Sequence, residues 1–275
     1  MTMNDERNTA DQLVPYVYGT SWNVEQLALD ADLSEDIEVL EFSDPEFELF
    51  AELWVRGNQL AFGGLEDMGM PSWVFVDCVV MSFAAVGFML PAAGVPDEIR
   101  RELQVPDGYD GWVPISEYSI CPTVEDDTVA AFSLQSRIEG AGVGTRTKAL
   151  GLYTADVDFQ TGVTQYTSPA LRVHTRFGPM EVLVDRPPAH DHSEESLAYR
   201  LHVPDQTTLE RIAAGDTTGQ ASASNPEGRR WTFQVNDTDQ HERLSDHLKS
   251  GKRAWVVEPG MKSGPHGPEV TMILQ

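Results

Sequence analysis

The sequence of 275 residues predicts a mixed α/β fold of the α+β kind, in which strands and helices are interspersed along the chain. Three observations indicate this class. Short segments of alternating apolar residues are interspersed along the chain with segments of helical periodicity. A glycine-rich stretch, Glu139–Gly144, separates a predicted strand from a predicted helix. A stretch rich in Gly, Ser, Thr and Asn precedes the last part of the chain, which predicts a small C-terminal α+β appendage.

Composition divides the chain into four regions. They are an acidic N-terminal arm at 1–36, the principal domain at 37–203 with a proline-rich insertion at 91–127, a helix and linker at 204–228, and the appendage at 229–275. The aromatic residues Tyr16, Tyr18 and Trp22 of the arm are expected to pack against the domain.

The principal domain begins with a strand and a helix. Apolar alternation at 37–40 predicts the strand, and Ser43 or Asp44 is the N-cap of the helix, with Pro45 at the first helical position. Helical periodicity then extends to Trp54. The elements that follow are the strands Val74–Val80 and Ala84–Leu90, the helix Pro96–Leu103, the strands Trp112–Ile120 and Thr128–Leu134, the helix Ala141–Tyr153, the strand Gly162–Tyr166, the helix Pro169–Phe177, and the strands Met180–Val184 and Leu197–Val203.

Two further predictions concern helices and the C-terminal region. In the helix that follows the glycine-rich stretch, Val143 and Leu150 lie on the apolar side, and Thr147 and Lys148 lie on the other side. Beyond the principal domain the pattern predicts the helix Gln206–Ala214, the strand Arg230–Val235, the helix Asp237–Leu248, and the strands Arg253–Glu258 and Glu269–Leu274.

Glycines at the junction of a strand and a helix allow backbone N–H groups to approach a phosphate at the helix N-terminus. Gly142 and Gly144, together with the strand Ala85–Leu90, resemble the acyl-CoA N-acyltransferases of the GNAT superfamily over roughly residues 37–203. In that family a Gln or Arg begins the coenzyme A signature, whereas this chain has Glu139. The resemblance implies a mostly antiparallel mixed sheet that is flanked by helices and split where the pantetheine arm enters.

The resemblance implies acyl transfer, most simply of an acetyl group, from acetyl-CoA to a primary amine. In the family, the fourth strand binds the thioester oxygen. The corresponding strand residues in this chain are Leu134 and Gln135. His174 stands where the family has the Tyr that protonates the leaving thiolate, and an imidazole can do the same. A packing role for His174 stays open. The residues implied to bind the coenzyme are Leu134, Gln135, Gly140, Gly142, Val143, Gly144, Thr145, Arg146 and Ser168.

A carboxylate is needed to take the proton of the amine. Glu117 on the inserted strand is one candidate, and Asp127, or its neighbour Asp126, is another. Glu139 and His174 depart from the family pattern, so a non-catalytic binding or assembly module of the same fold is the alternative function. A long-chain acyl synthase of the same fold is a third hypothesis.

The net charge of the chain gives a second, independent indication of its binding partners and its source. The chain has 44 acidic and 19 basic residues and a net charge of -25. This charge excludes binding to nucleic acid or to an anionic membrane by attraction, and it predicts a halophilic source, where salt screens the repulsion. The few cations gather near the two motifs, at Arg137, Arg146, Lys148, Arg172 and Arg176. The expected partners are a small-molecule or peptide amine and a second copy of the chain in a homodimer.

The two cysteines, Cys78 and Cys121, form no Cys-x-x-Cys motif, which indicates a reducing cytoplasm. No secretory leader or membrane span is expected, so the predicted location is cytoplasmic. His190 and His192 are interpreted as part of a solvated loop on the acceptor side, and no metal is expected.

Overall fold

A computed structural model describes residues 12–20, 37–41, 44–62, 84–188, 195–216, 225–264 and 267–275. The chain divides into two compact units. The first consists of Met1–Pro122, Ala131–Asp156 and Leu209–Thr217, and the second of Thr123–Ala130, Val157–Thr208 and Thr218–Gln275. Both units combine helices with mostly antiparallel strands, so the predicted α/β class is confirmed. The predicted domain boundaries stay a prediction.

The sheet of the first unit has the strand order β2-β1-β3-β4-β5, where the second unit takes the first three residues of β5. The strands are β1 (Val14–Gly19), β2 (Glu38–Glu41), β3 (Ala84–Pro91), β4 (Trp112–Pro122) and β5 (Thr128–Ser136). β1 lies between β2, to which it is parallel, and β3, to which it is antiparallel. The sequence pattern did not predict β1, because its residues were interpreted as part of the arm. Tyr16 and Tyr18 of β1 are buried against Phe50 and Trp54.

The helices begin and end close to where the patterns predicted, except that the first one continues to Phe62, well beyond the predicted end at Trp54. They are α1 (Glu48–Phe62), α2 (Asp97–Glu102), α3 (Val143–Ala155), α4 (Pro169–Arg176), α5 (Gln206–Ala213) and α6 (Thr238–Lys249). A 3-10 turn, Pro45–Phe47, leads into α1, and the Asp44 side chain caps it by accepting a hydrogen bond from the Glu46 N–H at 2.9 Å. The sequence had left Ser43 and Asp44 as alternatives for this cap.

The helix α3 packs on β3 and β4 and is buried on nearly all sides. The prediction that Thr147 and Lys148 lie on its polar side was wrong, since both are fully buried. The Thr147 hydroxyl lies 2.7 Å from Ser116 Oγ and 2.8 Å from the Val143 carbonyl oxygen, so it is satisfied inside the core. Burial also lowers the pKa of Lys148 well below its ordinary value.

The sheet of the second unit continues from β6 in the order β6-β8-β7-β10-β11-β9. These strands are β6 (Phe159–Gln165), β7 (Met180–Asp185), β8 (Ser196–His202), β9 (Arg229–Gln234), β10 (Ala254–Gly264) and β11 (Gly267–Leu274). All five neighbouring pairs in this order are antiparallel. The C-terminal strands, expected in an appendage, extend this sheet because Trp255 of β10 pairs with Glu181 of β7.

A buried polar cluster ties α6 to β7 in the second unit. His241 Nδ1 lies 2.9 Å from both carboxylate oxygens of Asp185, and its Nε2 lies 2.8 Å from the Val235 carbonyl oxygen. Tyr166 donates a hydrogen bond to Asp185 at 2.8 Å, and the Arg186 guanidinium lies 3.6 Å away. Both ring nitrogens of His241 therefore face oxygen atoms.

Some predictions fall outside the described residues. These are the strand Val74–Val80 and the residues Ser43, Trp22, Cys78, His190 and His192. In the described part of the chain, no helix is long and apolar enough to cross a membrane.

Candidate functional site

Glu117 lies on β4 of the first unit, next to a break in the strand ladder. Phe88 of β3 pairs with Ser116, but the next residue, Met89, pairs with Pro114, so β4 bulges between these positions. Pro114 has no N–H to donate to the ladder, and a bulge redirects the side chains beside it. Gly87 pairs with Glu117, and a Cβ at Gly87 would stand only 1.9 Å from the Ser116 carbonyl oxygen. Because any Cβ at this position would clash with that oxygen, residue 87 must be glycine.

The carboxyl group of Glu117 is held by two other elements. Its Oε1 accepts hydrogen bonds from Asn58 Nδ2 of α1 at 2.9 Å and from Ser133 Oγ of β5 at 2.7 Å. All three residues are buried. The second oxygen, Oε2, has no hydrogen-bond partner among the described residues. The arrangement therefore fixes one oxygen and leaves the other, which is also buried, without a partner among the described residues.

Burial raises the pKa of Glu117 from 4.5 to about 7, because the ionised form loses its hydration. Hydrogen bonds from Ser133 and Asn58, the nearby Gln135 amide and the charge of Arg137 oppose this effect without cancelling it. A carboxyl group with a pKa near neutrality can both take up and release a proton under physiological conditions, which is what a general acid or base needs.

A small cavity adjoins the carboxyl group. It has a volume of about 10 Å³, about the space for one water molecule, and its walls include Trp54, Gly57, Gln135 and Arg137. The Arg137 guanidinium donates hydrogen bonds to the Gly57 carbonyl oxygen and, at 2.6 Å, to Gln135 Oε1. The predicted coenzyme-binding residue Gln135 therefore lies beside the predicted base, Glu117, in the same unit.

The glycine-rich turn leads into α3 as predicted. Gly140 and Gly142 have φ values of 75° and 76°, in the left-handed region that favours glycine. The N–H groups of Thr145 and Arg146 bond to the Gly142 carbonyl oxygen, so the amide groups of Val143 and Gly144 precede the first bonded turn. Among the described residues, nothing lies within 4 Å of the place that a Cβ on Gly140 would take. The turn therefore has open space beside Gly140.

The cations near this turn are engaged elsewhere. Arg146 Nε donates to the Ala213 carbonyl oxygen at 3.1 Å, and its guanidinium lies 4.5 Å from the centre of the Phe88 ring. Lys148 is buried, and Glu139 is exposed beside the turn. A phosphate here would be held chiefly by backbone amide groups and the dipole of α3. The turn and helix fit a pyrophosphate, whereas the carboxylate of Glu139 does not favour one.

The predicted residues Ser168 and His174 belong to the second unit. Ser168 is the N-cap of α4, and its hydroxyl accepts a hydrogen bond from the Ala170 N–H at 3.1 Å. His174 is buried, with Nε2 3.3 Å from the Tyr199 hydroxyl, which also accepts a hydrogen bond from Gln160 at 2.6 Å. Each of these side chains has a defined structural role.

Asp127, the other proposed base, is exposed and accepts a hydrogen bond from Thr128 at 2.9 Å. Leu134 lies near the end of β5 in the first unit and is partly exposed. Asn58 was missed from the sequence. A signal was present, because Asn58 stands four residues after Trp54, on the apolar face of α1.

The described residues contain no group of three or more His, Cys, Asp or Glu side chains arranged to hold a metal ion. No protein-family description matches the chain, and no curated protein matches it. A solved acetyltransferase of the GNAT family from Bacillus anthracis is similar over 56% of this chain and 90% of that chain, with 9% identity and a TM-score of 0.35. A likeness at this level carries no argument, so function is argued from the residues themselves.

Proposed function

We propose that the chain is an N-acyltransferase that moves an acyl group, in the simplest case acetyl, from acetyl-CoA to a primary amine. One observation carries the proposal. A buried carboxyl group, Glu117, has a pKa of about 7 and an oxygen without a partner, and it shares a compact unit with a glycine-rich helix start suited to a pyrophosphate. The sequence resemblance described above names the reaction that combines these two features.

The reaction forms a C–N bond and breaks a C–S bond. A free amine has a pKa near 10, so it must lose a proton before or during attack. Glu117 Oε2 takes this proton, while Asn58 and Ser133 keep Oε1 in place. The bound thioester supplies the acyl carbon. The leaving thiolate must gain a proton, and His174 is the proposed donor on the resemblance alone.

The coenzyme would be held by residues of the turn and of β5. The amide groups of Val143 and Gly144 suit the pyrophosphate, with Thr145 and Arg146 next along α3. Leu134 and Gln135 are proposed to pair with the pantetheine arm, and Ser168 is proposed on the resemblance. As the base, the buried Glu117 is better supported than Asp127, because burial raises the pKa of Glu117 toward neutrality, whereas Asp127 is exposed.

The decisive experiment replaces Glu117 with Gln, which keeps the shape and the Oε1 acceptor. We expect kcat with acetyl-CoA and a reactive amine to fall by about 10² to 10⁴-fold, with unchanged acetyl-CoA affinity by calorimetry. The parent should also gain activity as pH rises through about 7, the pKa of Glu117. Glu98→Gln, at an exposed residue of α2, is the matched control. Undiminished turnover in Glu117→Gln would remove Glu117 from the mechanism.

A second experiment tests the coenzyme site. Gly144→Val places a branched side chain at the start of α3, so we expect loss of acetyl-CoA binding with the fold retained. Undiminished affinity would contradict the assignment.

The alternative, a non-catalytic binding module of the same fold, is favoured by the exposed Glu139 beside the turn. It predicts that acetyl-CoA raises the unfolding temperature but that no amine in a broad panel of small molecules and peptides is acylated.

A further inference from the structure

A second cavity lies in the second unit, between the edge strand β9 and α6. Its volume is about 400 Å³, within the usual range for small-molecule sites. Alternation along β9 places Arg229 and Trp231 on one face, and helical spacing places Arg243 and His247 on one face of α6. Lys252, in the turn after α6, completes the positively charged wall.

The cations of this cavity stand out against the rest of the chain. Arg229, Arg243 and Lys252 form no ion pair with any described residue, although the chain carries 44 acidic side chains against 19 basic ones. Two nearby arginines are paired, Arg230 with Glu258 and Arg253 with Glu181. The dipole of α6 accounts for cations near its C-terminus, but it does not account for Arg229, which lies on a strand.

An aromatic ring completes the lining. Trp231 is partly exposed, and the Arg243 guanidinium lies 5.5 Å from the centre of its ring. Phe233 meets the indole edge to face at 5.2 Å, which fixes its orientation. The planar Arg243 guanidinium beside the fixed Trp231 indole suits a ligand that combines an aromatic ring with negative charge.

One carboxylate, Asp246, lines the same cavity. It would repel a phosphate placed next to it, but it can accept hydrogen bonds from sugar hydroxyl groups. His247 Nε2 already bonds to the Arg253 carbonyl oxygen at 3.0 Å, so its ring is held in place. The cavity therefore presents positive charge, an aromatic surface and a hydroxyl acceptor together.

We propose that this cavity binds a ribonucleotide, with the phosphates on Arg229, Arg243 and Lys252, the base against Trp231, and the ribose near Asp246. This function is separate from acyl transfer, because none of these residues has been assigned to that reaction. A nucleoside diphosphate has the combination of charge, ring and hydroxyl groups that the lining offers.

Calorimetric titration of the full chain with ADP, inorganic pyrophosphate and adenosine tests the proposal. Low ionic strength preserves the attraction. We expect ADP to bind and its affinity to fall at least about tenfold in Arg229→Gln/Arg243→Gln, since hydrogen bonds between charged groups are lost. The control Arg101→Gln/Arg211→Gln removes the same charge from exposed positions outside the cavity and should change affinity less than about twofold.

A third variant separates the ring from the charge. Trp231→Leu should reduce ADP affinity toward that of pyrophosphate and leave pyrophosphate binding unchanged. The proposal is overturned if ADP does not bind the parent, if both double variants lose affinity equally, or if pyrophosphate binds the parent as tightly as ADP. The rate of acetyl transfer by Arg229→Gln/Arg243→Gln should equal that of the parent. Failure of the nucleotide-binding proposal can therefore be distinguished from failure of the acyltransferase proposal.

Discussion

Glu117 should make the protein less stable as the pH rises from mildly acidic to neutral. The unfolded chain releases the proton of this carboxyl group near pH 4.5, whereas the folded protein keeps it until about pH 7. Between these values the folded state holds the extra proton, so the free energy of unfolding falls as pH increases. The stabilising contribution is complete below about pH 4.5 and is lost once the pH has risen through 7.

The size of the effect follows from the same two values. Each pH unit between them is worth about 1.4 kcal/mol, which gives a total of about 3 kcal/mol. Glu117→Gln removes the titration but keeps the acceptor for Asn58 and Ser133. We therefore expect the stability of this variant, relative to the parent, to increase by up to about 3 kcal/mol between pH 4.5 and pH 8.

Urea unfolding followed by circular dichroism at several pH values measures this difference at fixed salt. The other carboxylates titrate equally in both proteins, so they cancel in the comparison. Glu98→Gln, an exposed substitution, should run parallel to the parent across the range. A constant difference between Glu117→Gln and the parent at all pH values would show that Glu117 is not protonated in the folded protein at neutral pH, and the reasoning about its burial would fail.

Four further outcomes are expected. Gly87→Ala should destabilise the protein by more than about 3 kcal/mol in urea unfolding, because the new Cβ meets a backbone oxygen at 1.9 Å. Gly140→Ala, at a position with open space and a φ of 75°, should cost only about 1 kcal/mol. Equal losses of stability in the two variants would contradict this expectation. His241→Phe should cost about 3 to 5 kcal/mol by leaving the buried Asp185 carboxylate with only the Tyr166 hydroxyl and the Arg186 guanidinium, and adding Asp185→Asn should recover part of the loss. His174→Phe should lower turnover by about 10² to 10⁴-fold at unchanged acetyl-CoA affinity, and less than about a tenfold loss would assign it to packing. The unfolding temperature should rise between about 0.1 and 2 M potassium chloride, and an unchanged value would argue against a halophilic source.

Local patterns predicted the elements better than they predicted the burial of polar residues. Asp44, Pro45 and the helix after them are set by residues close in sequence, and so are the glycines before α3. The burial of Thr147 depends on Ser116, which lies on another element, and periodicity within one helix cannot reveal that partner. Propensity is therefore overridden by tertiary packing at this helix.

The same distinction applies to the candidate site. The sequence offered Glu117 as one acid among 44, and only the structure brings Asn58 and Ser133 onto its carboxyl group. Asn58 lies 59 residues before Glu117, so no local pattern connects them. The free oxygen and the raised pKa follow from this long-range arrangement. The distances between residues of α1, β4 and β5 are a property of the fold, not of any motif.

The position of β1 imposes an order on folding as the chain is synthesised. Val14 pairs with Met89, so β1 leaves the ribosome long before its antiparallel neighbour. At about 5 to 20 residues per second, the roughly 75 residues between them take about 4 to 15 seconds to make. During that time β1 can form a ladder only with the short strand β2, and Tyr16 and Tyr18 can pack against Phe50 and Trp54 but not yet against β3. An N-terminal fusion partner that folds quickly would shield β1 during this interval. Slower translation between β2 and β3 would lengthen the interval. Both changes would alter the yield of folded protein.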